Sequence, residues 1–448
     1  MRDGKYKAGE AFLRMKQKLP DPDEGNPQMW DLPAYRVIER NHHHRTGEKW
    51  RIYPTYDFTH CLCDAFEGIT HSLCTTEFYL SRTSYDWELA LLGYKDANTD
   101  AKGPMQREYG RLNVTGSILS KRKIAMLVNG TSVTNPADST TRSIPPAVRD
   151  WDDPRLYTLV GIRRRGVPAG AILNFVGELG ITTANTTIQA VRFESSVRRY
   201  LERTVPRLML VLSPIKLTIE DLPDDHLETL TVPFDPKDPN GRSRTVPFTK
   251  SVFIDASDFR EDDDPNFFRL APGKVVGLLN VPFAVKATSF TKDDATGRVT
   301  EIRASKVDVD AEGGGGGGVV KPKGFIHWVS TARNVPVTAR QYNALFKSEE
   351  PNGLDWKNGG WADDLNPESE IAFGDAVVEV GVGELRKGEA KQADGGSDDL
   401  VRFQAVRTGY FCIDTRSGGK RDAEGEKLVL NEIVSLKEDA GKVTGGKK

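Results

Sequence analysis

The sequence predicts a multidomain protein that begins as α/β, passes through a helical stretch and ends all-β. Three observations carry this reading. The chain has 448 residues, more than one hydrophobic core accommodates, so several domains are expected. Up to about residue 205, helical apolar spacing alternates with short extended runs. From Pro206 onward, short strands separated by Pro, Gly and Asp turns take over, the pattern of β-barrels.

The composition, 38% hydrophobic and 28% charged, is that of a folded chain rather than a disordered one. There is no apolar run of about 18 residues, so no membrane span is expected. The opening MRDGKYKAGEAFLRMKQKL is charged and lacks the apolar core of a secretory leader. Four cysteines are too few for a disulfide framework and fit a reducing cytoplasm. A net charge of −2 argues weakly against nucleic acid as a partner, because a neutral total can hide local basic stripes.

Residues 1–20 are expected to be helical on the loose apolar face of Phe12, Leu13, Met15 and Leu19. Residues 20–34 form a loop, and strands Tyr35–Glu39 and Trp50–Tyr56 flank a polar turn, Asn41–Lys49. The stretch Tyr53–Phe78, YPTYDFTHCLCDAFEGITHSLCTTEF, reads as strand, helix and strand. Thr59 caps its helix, Leu62, Ala65 and Phe66 share one face, Gly68 ends it, and Ile69–Phe78 is extended. Tyr85–Gly93 is a further helix, Arg111–Leu119 is extended, and Thr131–Asp150 reads as a mobile insertion. Three short helices follow: Leu156–Arg165 up to Gly166, one opened by Pro168 and ended near Gly180, and Thr187–Arg203.

Strands are then expected over Leu208–Ser213, Leu217–Glu220, Leu227–Pro233, Arg244–Phe248, Val252–Asp255, Lys274–Leu279 and Phe283–Phe290. Further strands fall in Gly324–Ser330, Ile371–Val382 and Val401–Asp414. Gly313–Gly318 is a loop between strands rather than a phosphate cradle, since no Lys-Ser/Thr pair or helix follows. Residues 387–400 and 438–448 read as polar, mobile segments.

Metal chemistry is the first reading of the Cys- and His-rich stretch. Cys61-X-Cys63 lacks the two-residue spacing of a zinc knuckle, and on a helix the pair diverges by about 200°. The His42–His44 run lies in a turn, so no metal site is expected, and these side chains are read as core thiols and solvated imidazoles. A catalytic thiol triad has no partner at a motif spacing. Ser117–Lys123, SILSKRK, is either a solvated basic face or a mobile loop whose ammonium groups reach phosphates, Lys121 acting by charge. Arg163–Arg165 and Arg198–Arg199 are either surface ion pairs or contacts to a phosphate backbone.

YDFTHCLCDAFEGITHSLCTTEF, EYGRLNVTGSILSKRK, WDDPRLYTLVGIRRRG and FIHWVSTARNVPV occur in this order. Together they resemble the glutaminyl-tRNA synthetases, a class I aminoacyl-tRNA synthetase family, over roughly Met1 to Asp414. The resemblance implies a remnant of an acceptor-stem-binding insertion over 1–52 and the second half of a Rossmann-type catalytic domain over 53–150. It further implies a helical subdomain over 151–205 and two anticodon-binding β-barrels over 206–448. Glutamine would be joined to its tRNA through glutaminyl-adenylate, with ATP as substrate and Mg2+ beside it.

On the same resemblance, Tyr56, His60, Cys74 and Gln106 line the glutamine pocket, and Thr75, Arg111, Leu112, Leu119, Ser120 and Lys121 contact ATP. Lys121 and Ser120 are the implied catalytic residues. Residues 118–122, ILSKR, resemble the KMSKS loop, departing at Ile118, Leu119 and Arg122. Cys74 stands where glutamate-using relatives carry an arginine, so a neutral thiol leaves a glutamate carboxylate unpaired. Arg207, Arg269 and Gln404 match anticodon-contacting positions, whereas two anticodon arginines of bacterial forms appear here as Gly277 and Leu279. The partners implied are the tRNA for glutamine and L-glutamine, with neither DNA nor a membrane, in a cytoplasmic monomer.

No HIGH-type motif occurs in the sequence, so the chain is expected to be an N-terminally truncated form that does not make adenylate by itself. Two rival readings follow: a catalytically inactive tRNA-binding fragment of the family, and a glutamyl-tRNA synthetase.

Overall fold

The computed structural model describes residues 1–17, 25–38, 43–96, 98, 102–134, 140–238, 240–309, 322–387, 400–414 and 427–436. The chain divides into two compact units, Met1–Asn113 with Leu179–Thr187, and Val114–Glu178 with Ile188–Lys448.

The first unit opens with an antiparallel sheet of β1 (Phe12–Arg14), β2 (Pro33–Val37) and β3 (Ile52–Pro54). The helix expected over residues 1–20 is therefore replaced by a strand. Its supposed apolar face is not a buried one, since Phe12 and Leu13 are exposed, and Phe12 and Leu13 pair instead with Arg36 and Tyr35. Leu19, Glu39, Asn41 and His42 lie outside the described residues.

Next come α1 (Tyr56–Phe66), β4 (His71–Thr75), α2 (Ser81–Leu91) and β5 (Met105–Tyr109). β4 and β5 are parallel, in register from His71 opposite Met105 to Thr75 opposite Tyr109, and α2 makes the crossover that parallel strands require. Strand alternation turns Ser72, Cys74 and Gln106 to the buried side, while Leu73, Met105 and Tyr109 stay exposed. α1 packs on α2 through Cys61, Tyr85 and Leu89. The helix begins a turn earlier than expected. Thr55 is its N-cap, and the Thr59 hydroxyl donates back to the Thr55 carbonyl from inside the first turn. The strand after it is shorter than expected, because Thr76–Phe78 closes into a 3-10 turn.

The chain enters the second unit through β6 (Leu112–Val114), the regular part of the segment expected to be extended to Leu119. Lys121–Lys123, read as a basic face or a mobile loop, open α3 (Lys121–Asn129), whose Ile124 and Leu127 are buried with Trp356 and Trp361. Thr131–Asp150 contains a hairpin, β7 (Thr131–Thr134) and β8 (Thr141–Ile144), anchored by buried Ile144 and by an Arg142–Asp363 ion pair. Residues 135–139 between these strands lie outside the described residues. Thr and Val at alternate positions make this a strand pattern that a polar composition concealed.

Helices α4 (Leu159–Arg165) and α5 (Ala169–Leu179) follow, then β9 (Thr186–Ile188) and α6 (Ala190–Thr204). Gly166 ends α4 at φ 106°. A Cβ there would meet the Cys412 Sγ at 2.4 Å, so both the left-handed conformation and the close approach require glycine.

The all-β part forms two large sheets whose strands interleave along the chain, and a separate two-stranded sheet, Leu227–Pro233 with Ser243–Thr249. β10 (Arg207–Leu208) and β11 (Leu210–Val211) precede β12 (Pro214–Ile219), β13 (Leu227–Pro233), β14 (Ser243–Thr249), β15 (Ser251–Asp255), β16 (Val275–Leu278) and β17 (Ala284–Lys292). β18 (Val299–Val307), β19 (Phe325–Ile326) and β20 (Val329–Ser330) come next. β21 (Val335–Tyr342), β22 (Glu370–Phe373), β23 (Val377–Val378), β24 (Arg402–Ala405), β25 (Gly409–Ile413) and β26 (Leu428–Ser435) complete the set. A seven-stranded sheet runs β19-β16-β17-β18-β12-β15-β20, around a core that includes Phe248, Ile302 and Trp328. An eight-stranded sheet runs β10-β24-β25-β26-β21-β23-β11, with β22 on β21, around Phe403, Phe411 and Leu430.

Among the described strands of the all-β part, three have no counterpart in the sequence expectations. β18 buries only Ile302 and Ala304 on its inner face. β21 contains Pro336, which argues against a strand. β26 has an apolar run broken by Asn431 and Glu432, both buried, with Asn431 accepting from the Tyr342 hydroxyl at 2.6 Å. The expectations for Gly313–Gly318, 388–399 and 438–448 fall outside the described residues.

Candidate active site and nucleic-acid interface

In the first unit, the N-terminus of α1 and the buried side of β4 and β5 bring four expected residues together. Tyr56 stacks on His60 with ring centroids 4.9 Å apart and touches Phe78 at 5.8 Å. The stacking arises because Tyr56 and His60 are one helical turn apart. His60 Nε2 lies 3.1 Å from the Ser72 hydroxyl and 3.3 Å from Asp64, and Asp64 also accepts from the Tyr85 hydroxyl at 2.8 Å. Burial, then the nearby Cys74, Asp64 and Asp57, pushes the Tyr56 phenol above its ordinary range, so the ring stays neutral.

Cys74 is 9% exposed, and Gln106 is 4% exposed on the adjacent strand. Burial pushes the thiol up, reinforced by Glu108 and opposed by Arg82, so this position carries no charge. Gln106 Nε2 donates to the Phe78 carbonyl and to Glu108 Oε1, each at 3.0 Å. Glu108 is held in turn by both ends of the Arg82 guanidinium. Burial raises the Glu108 carboxyl, but the hydrogen bonds from Arg82 and Gln106 outweigh it and leave the group below its ordinary range. Arg111 pairs with Glu77 at 2.7 Å, and its backbone N–H donates to Asn185. Thr75 ends β4 and Leu112 begins β6. Asp64, Arg82 and Glu108 went unread in the sequence; Glu108 sits two residues after Gln106, on the same face of one strand, a spacing that could have revealed it.

Behind this cluster, Glu88 is 2% exposed on α2, where its carboxylate meets the Cys61 thiol. Burial lifts its carboxyl to about 7 from an ordinary 4.5. The adjacent Cys61 thiol is also pushed up, by burial and then by Glu88. Because the folded carboxyl holds its proton to higher pH than the unfolded one, this site loses stability as pH rises between those two values. The expected size is about 3 kcal/mol. Glu88→Gln should flatten this pH dependence and raise the melting temperature at pH 8 relative to pH 5.5, read by circular dichroism. An unchanged pH profile would show that Glu88 is not the titrating group.

In the second unit, Leu119 is exposed, Ser120 is the N-cap of α3 and Lys121 is its first residue, solvent-facing. The expected loop is thus short and leads straight into a helix whose N-terminal N–H groups favour anions. Its approach is fixed by neighbours: Asn352 Nδ2 donates to the Ser117 carbonyl at 3.0 Å, and Lys123 Nζ donates to the Asn352 carbonyl at 2.7 Å.

Of the basic helix residues, Arg164 is buried between Asp414 and Asp152, Arg199 pairs with Glu178, and Arg198 donates to the Ser435 carbonyl. Arg163 remains exposed. The ion-pair reading therefore accounts for Arg164 and Arg199. Cys61 is buried and Cys63 exposed, so the two thiols diverge as their spacing requires. Among the described residues, no group of three or more His, Cys, Asp or Glu is arranged to hold a metal ion.

The expected anticodon residues fall on the two sheets. Arg207 on β10 lies directly opposite Gln404 on β24, in parallel register. Arg269, in the segment between β15 and β16, donates to the Ser257 carbonyl at 2.9 Å and lies 3.3 Å from Asp258. Gly277 is buried in β16, where a Cβ would meet the Phe325 ring at 2.3 Å, so no longer side chain fits beside that ring. Leu279 packs against the core of the same sheet. Arg407, also unread in the sequence, makes two 2.8 Å hydrogen bonds to Asp258.

The chain matches the models of class I tRNA synthetases for glutamate and glutamine over most of its length. The catalytic-domain model covers residues 1–203, and two anticodon-binding-domain models cover 205–307 and 325–414. It is 49% identical to a Hypocrea virens protein named glutamine-tRNA ligase protein virJ, over 99% of this chain and 62% of the relative. It is 48% identical to the glutamine-tRNA ligase of Saccharomyces cerevisiae, over 99% of this chain and 52% of the relative. It is 39% identical to the glutamine-tRNA ligase of Pseudoalteromonas atlantica, over 99% of this chain and 71% of the relative. The chain thus spans 62% and 52% of the length of the first two.

Proposed function

Because this chain belongs to the glutamine-tRNA ligase family of class I synthetases, we propose that it takes part in joining L-glutamine to the tRNA for glutamine. The observation that carries this reading is the neutral floor formed by Cys74 and Gln106. Both Gln106 N–H bonds point at fixed acceptors, Phe78 O and Glu108 Oε1. Its carbonyl oxygen is left to accept a hydrogen bond, which suits the side-chain amide of glutamine. A glutamate carboxylate has no N–H to offer and would bring an unpaired charge beside Glu108.

Tyr56 and His60 complete the expected grip on the side chain, and Thr75, Arg111, Leu112 and Leu119 are the proposed ATP contacts. Carboxylate attack on the α-phosphate of ATP forms glutaminyl-adenylate and releases pyrophosphate. The 2′-hydroxyl of the terminal tRNA adenosine then takes the acyl group and releases AMP. Lys121 stabilises the departing pyrophosphate by charge, supported by the N-terminus of α3 that Ser120 begins. Mg2+ arrives with the ATP phosphates as part of the substrate.

The parallel β4–α2–β5 unit supports a Rossmann-type catalytic half over 53–150, after an acceptor-stem remnant over 1–52. α4 to α6 support a helical subdomain over 151–205, and the two sheets support a pair of anticodon-binding barrels over 206–448. Arg207, Arg269 and Gln404 are the proposed anticodon readers. The setting proposed is a cytoplasmic monomer acting on RNA and not on DNA.

The test pairs two assays on the purified chain. Filter binding that prefers the tRNA for glutamine, without glutamine- and tRNA-dependent exchange of pyrophosphate into ATP, is the expected result. Clear exchange would overturn the expectation that this chain does not make adenylate by itself. Loss of tRNA preference would overturn the proposed role.

A further inference from the structure

Asp258 is 1% exposed and ends the 3-10 turn Ala256–Asp258 that follows β15. The turn is rigidly based. Asp255 accepts from the N–H groups of Leu212, Ser213 and Ser257, and the Asp258 carbonyl accepts from the N–H of Leu270, whose neighbour is Arg269. Two guanidinium groups meet on this one carboxylate. Arg269 Nη1 lies 3.3 Å from Oδ1, and Arg407 donates to both oxygens at 2.8 Å in fork geometry. His327 Nδ1 lies 3.2 Å from Arg407 Nη1 and closes the cluster.

Arg407 comes from the other sheet, in the turn between β24 and β25. Its φ is 66°, a left-handed conformation that glycine adopts freely and other residues adopt at a cost. An arginine held there is explained by its side chain, whose fork of donors Asp258 accepts. The same turn follows Gln404, and Gln404 sits opposite Arg207.

We propose that Asp258 is a positioning residue for RNA reading. Its single buried carboxylate fixes Arg269 on the seven-stranded-sheet side to the Arg407 turn of the eight-stranded sheet, so that Arg207, Arg269 and Gln404 are presented in one register. This rests on the proposed anticodon role of those three residues. The cluster is built to lose little order on binding, because both arginines already stand in their working geometry.

The experiment measures filter binding of the full chain to the tRNA for glutamine and to the same tRNA with a replaced anticodon. The wild type should prefer the first. Asp258→Asn and Arg407→Gly should each reduce that preference on the order of tenfold while leaving binding to the replaced-anticodon tRNA nearly unchanged. Asp258→Glu should recover part of the loss. Arg407→Gly guards against misfolding, because glycine relieves the left-handed turn, and circular dichroism should show it folded as the wild type is. A folded Arg407→Gly variant with the full wild-type preference would overturn the positioning role. A wild type with no preference would overturn the anticodon reading on which it rests.

Discussion

Placed in a full-length context, Cys74→Arg is expected to lower glutamine-dependent pyrophosphate exchange by about 100-fold or more in kcat/KM, whereas Cys74→Ser should stay within about tenfold. The thiol is buried beside Gln106, and Glu108 two residues along from Gln106 is already satisfied by Arg82. A guanidinium inserted there has three options, all unfavourable to glutamine. It can compete with Arg82 for Glu108, freeing the Gln106 amide to turn. It can fill the space meant for the ligand amide. Or it can stay buried without a partner, which costs several kcal/mol. A ligand carboxylate would relieve that charge, so any residual activity should shift toward glutamate. Equal glutamine use by Cys74→Arg and the wild type would show that this position does not select the substrate, and would favour the glutamate reading.

The second large effect is on stability. Arg164→Ala should destabilise the second unit by about 3–5 kcal/mol. Arg164 lies in the last turn of α4 and is buried, donating to both oxygens of Asp414 at 3.1 and 3.0 Å and to Asp152 at 3.1 Å. Its removal takes two charge-assisted hydrogen bonds from the buried Asp414 carboxylate, with the Arg340 guanidinium at a longer 3.8 Å. The replacement Arg164→Met with Asp414→Leu removes both charges and should recover most of the loss, because an apolar pair needs no hydrogen bonds. Thermal melting of the single and double variants checks this. A double variant no more stable than Arg164→Ala would mean that α4 is held by packing about Gly166 rather than by charge.

The local pattern of the chain exposed a good part of the site. The alternation in His71–Thr75 was enough to turn Cys74 inward, and the spacing of Tyr56 and His60 was enough to stack them, because both are properties of one strand or one helix. The polar supports of that site were not legible. Arg82 reaches Glu108 across 26 residues and Asp64 meets Tyr85 across 21, and no periodicity encodes such pairings. The strand expected at Ile69–Phe78 failed at its end for a related reason: Thr75 to Phe78 favours extension locally, but Gln106 claims the Phe78 carbonyl and the chain folds into a 3-10 turn there.

By itself the sequence determined that α/β structure gives way to helices and then to short strands, and which side chains of β4 turn inward. Each of these follows from apolar period and turn chemistry within a few residues. The tertiary structure alone decided which strands belong together. Arg207–Val211 lies next to β12 in the chain, yet β10 and β11 join the eight-stranded sheet, with Arg207 opposite Gln404. It alone turned Lys121 from a loop residue into the first residue of α3, because Ile124 and Leu127 found Trp356 and Trp361 more than two hundred positions away. It also gave Arg269 and Arg407 one shared carboxylate. The physical reason is common to all three. A buried hydrogen bond or apolar contact stabilises a conformation only when its partner arrives, and these partners are neighbours in space without being neighbours in sequence.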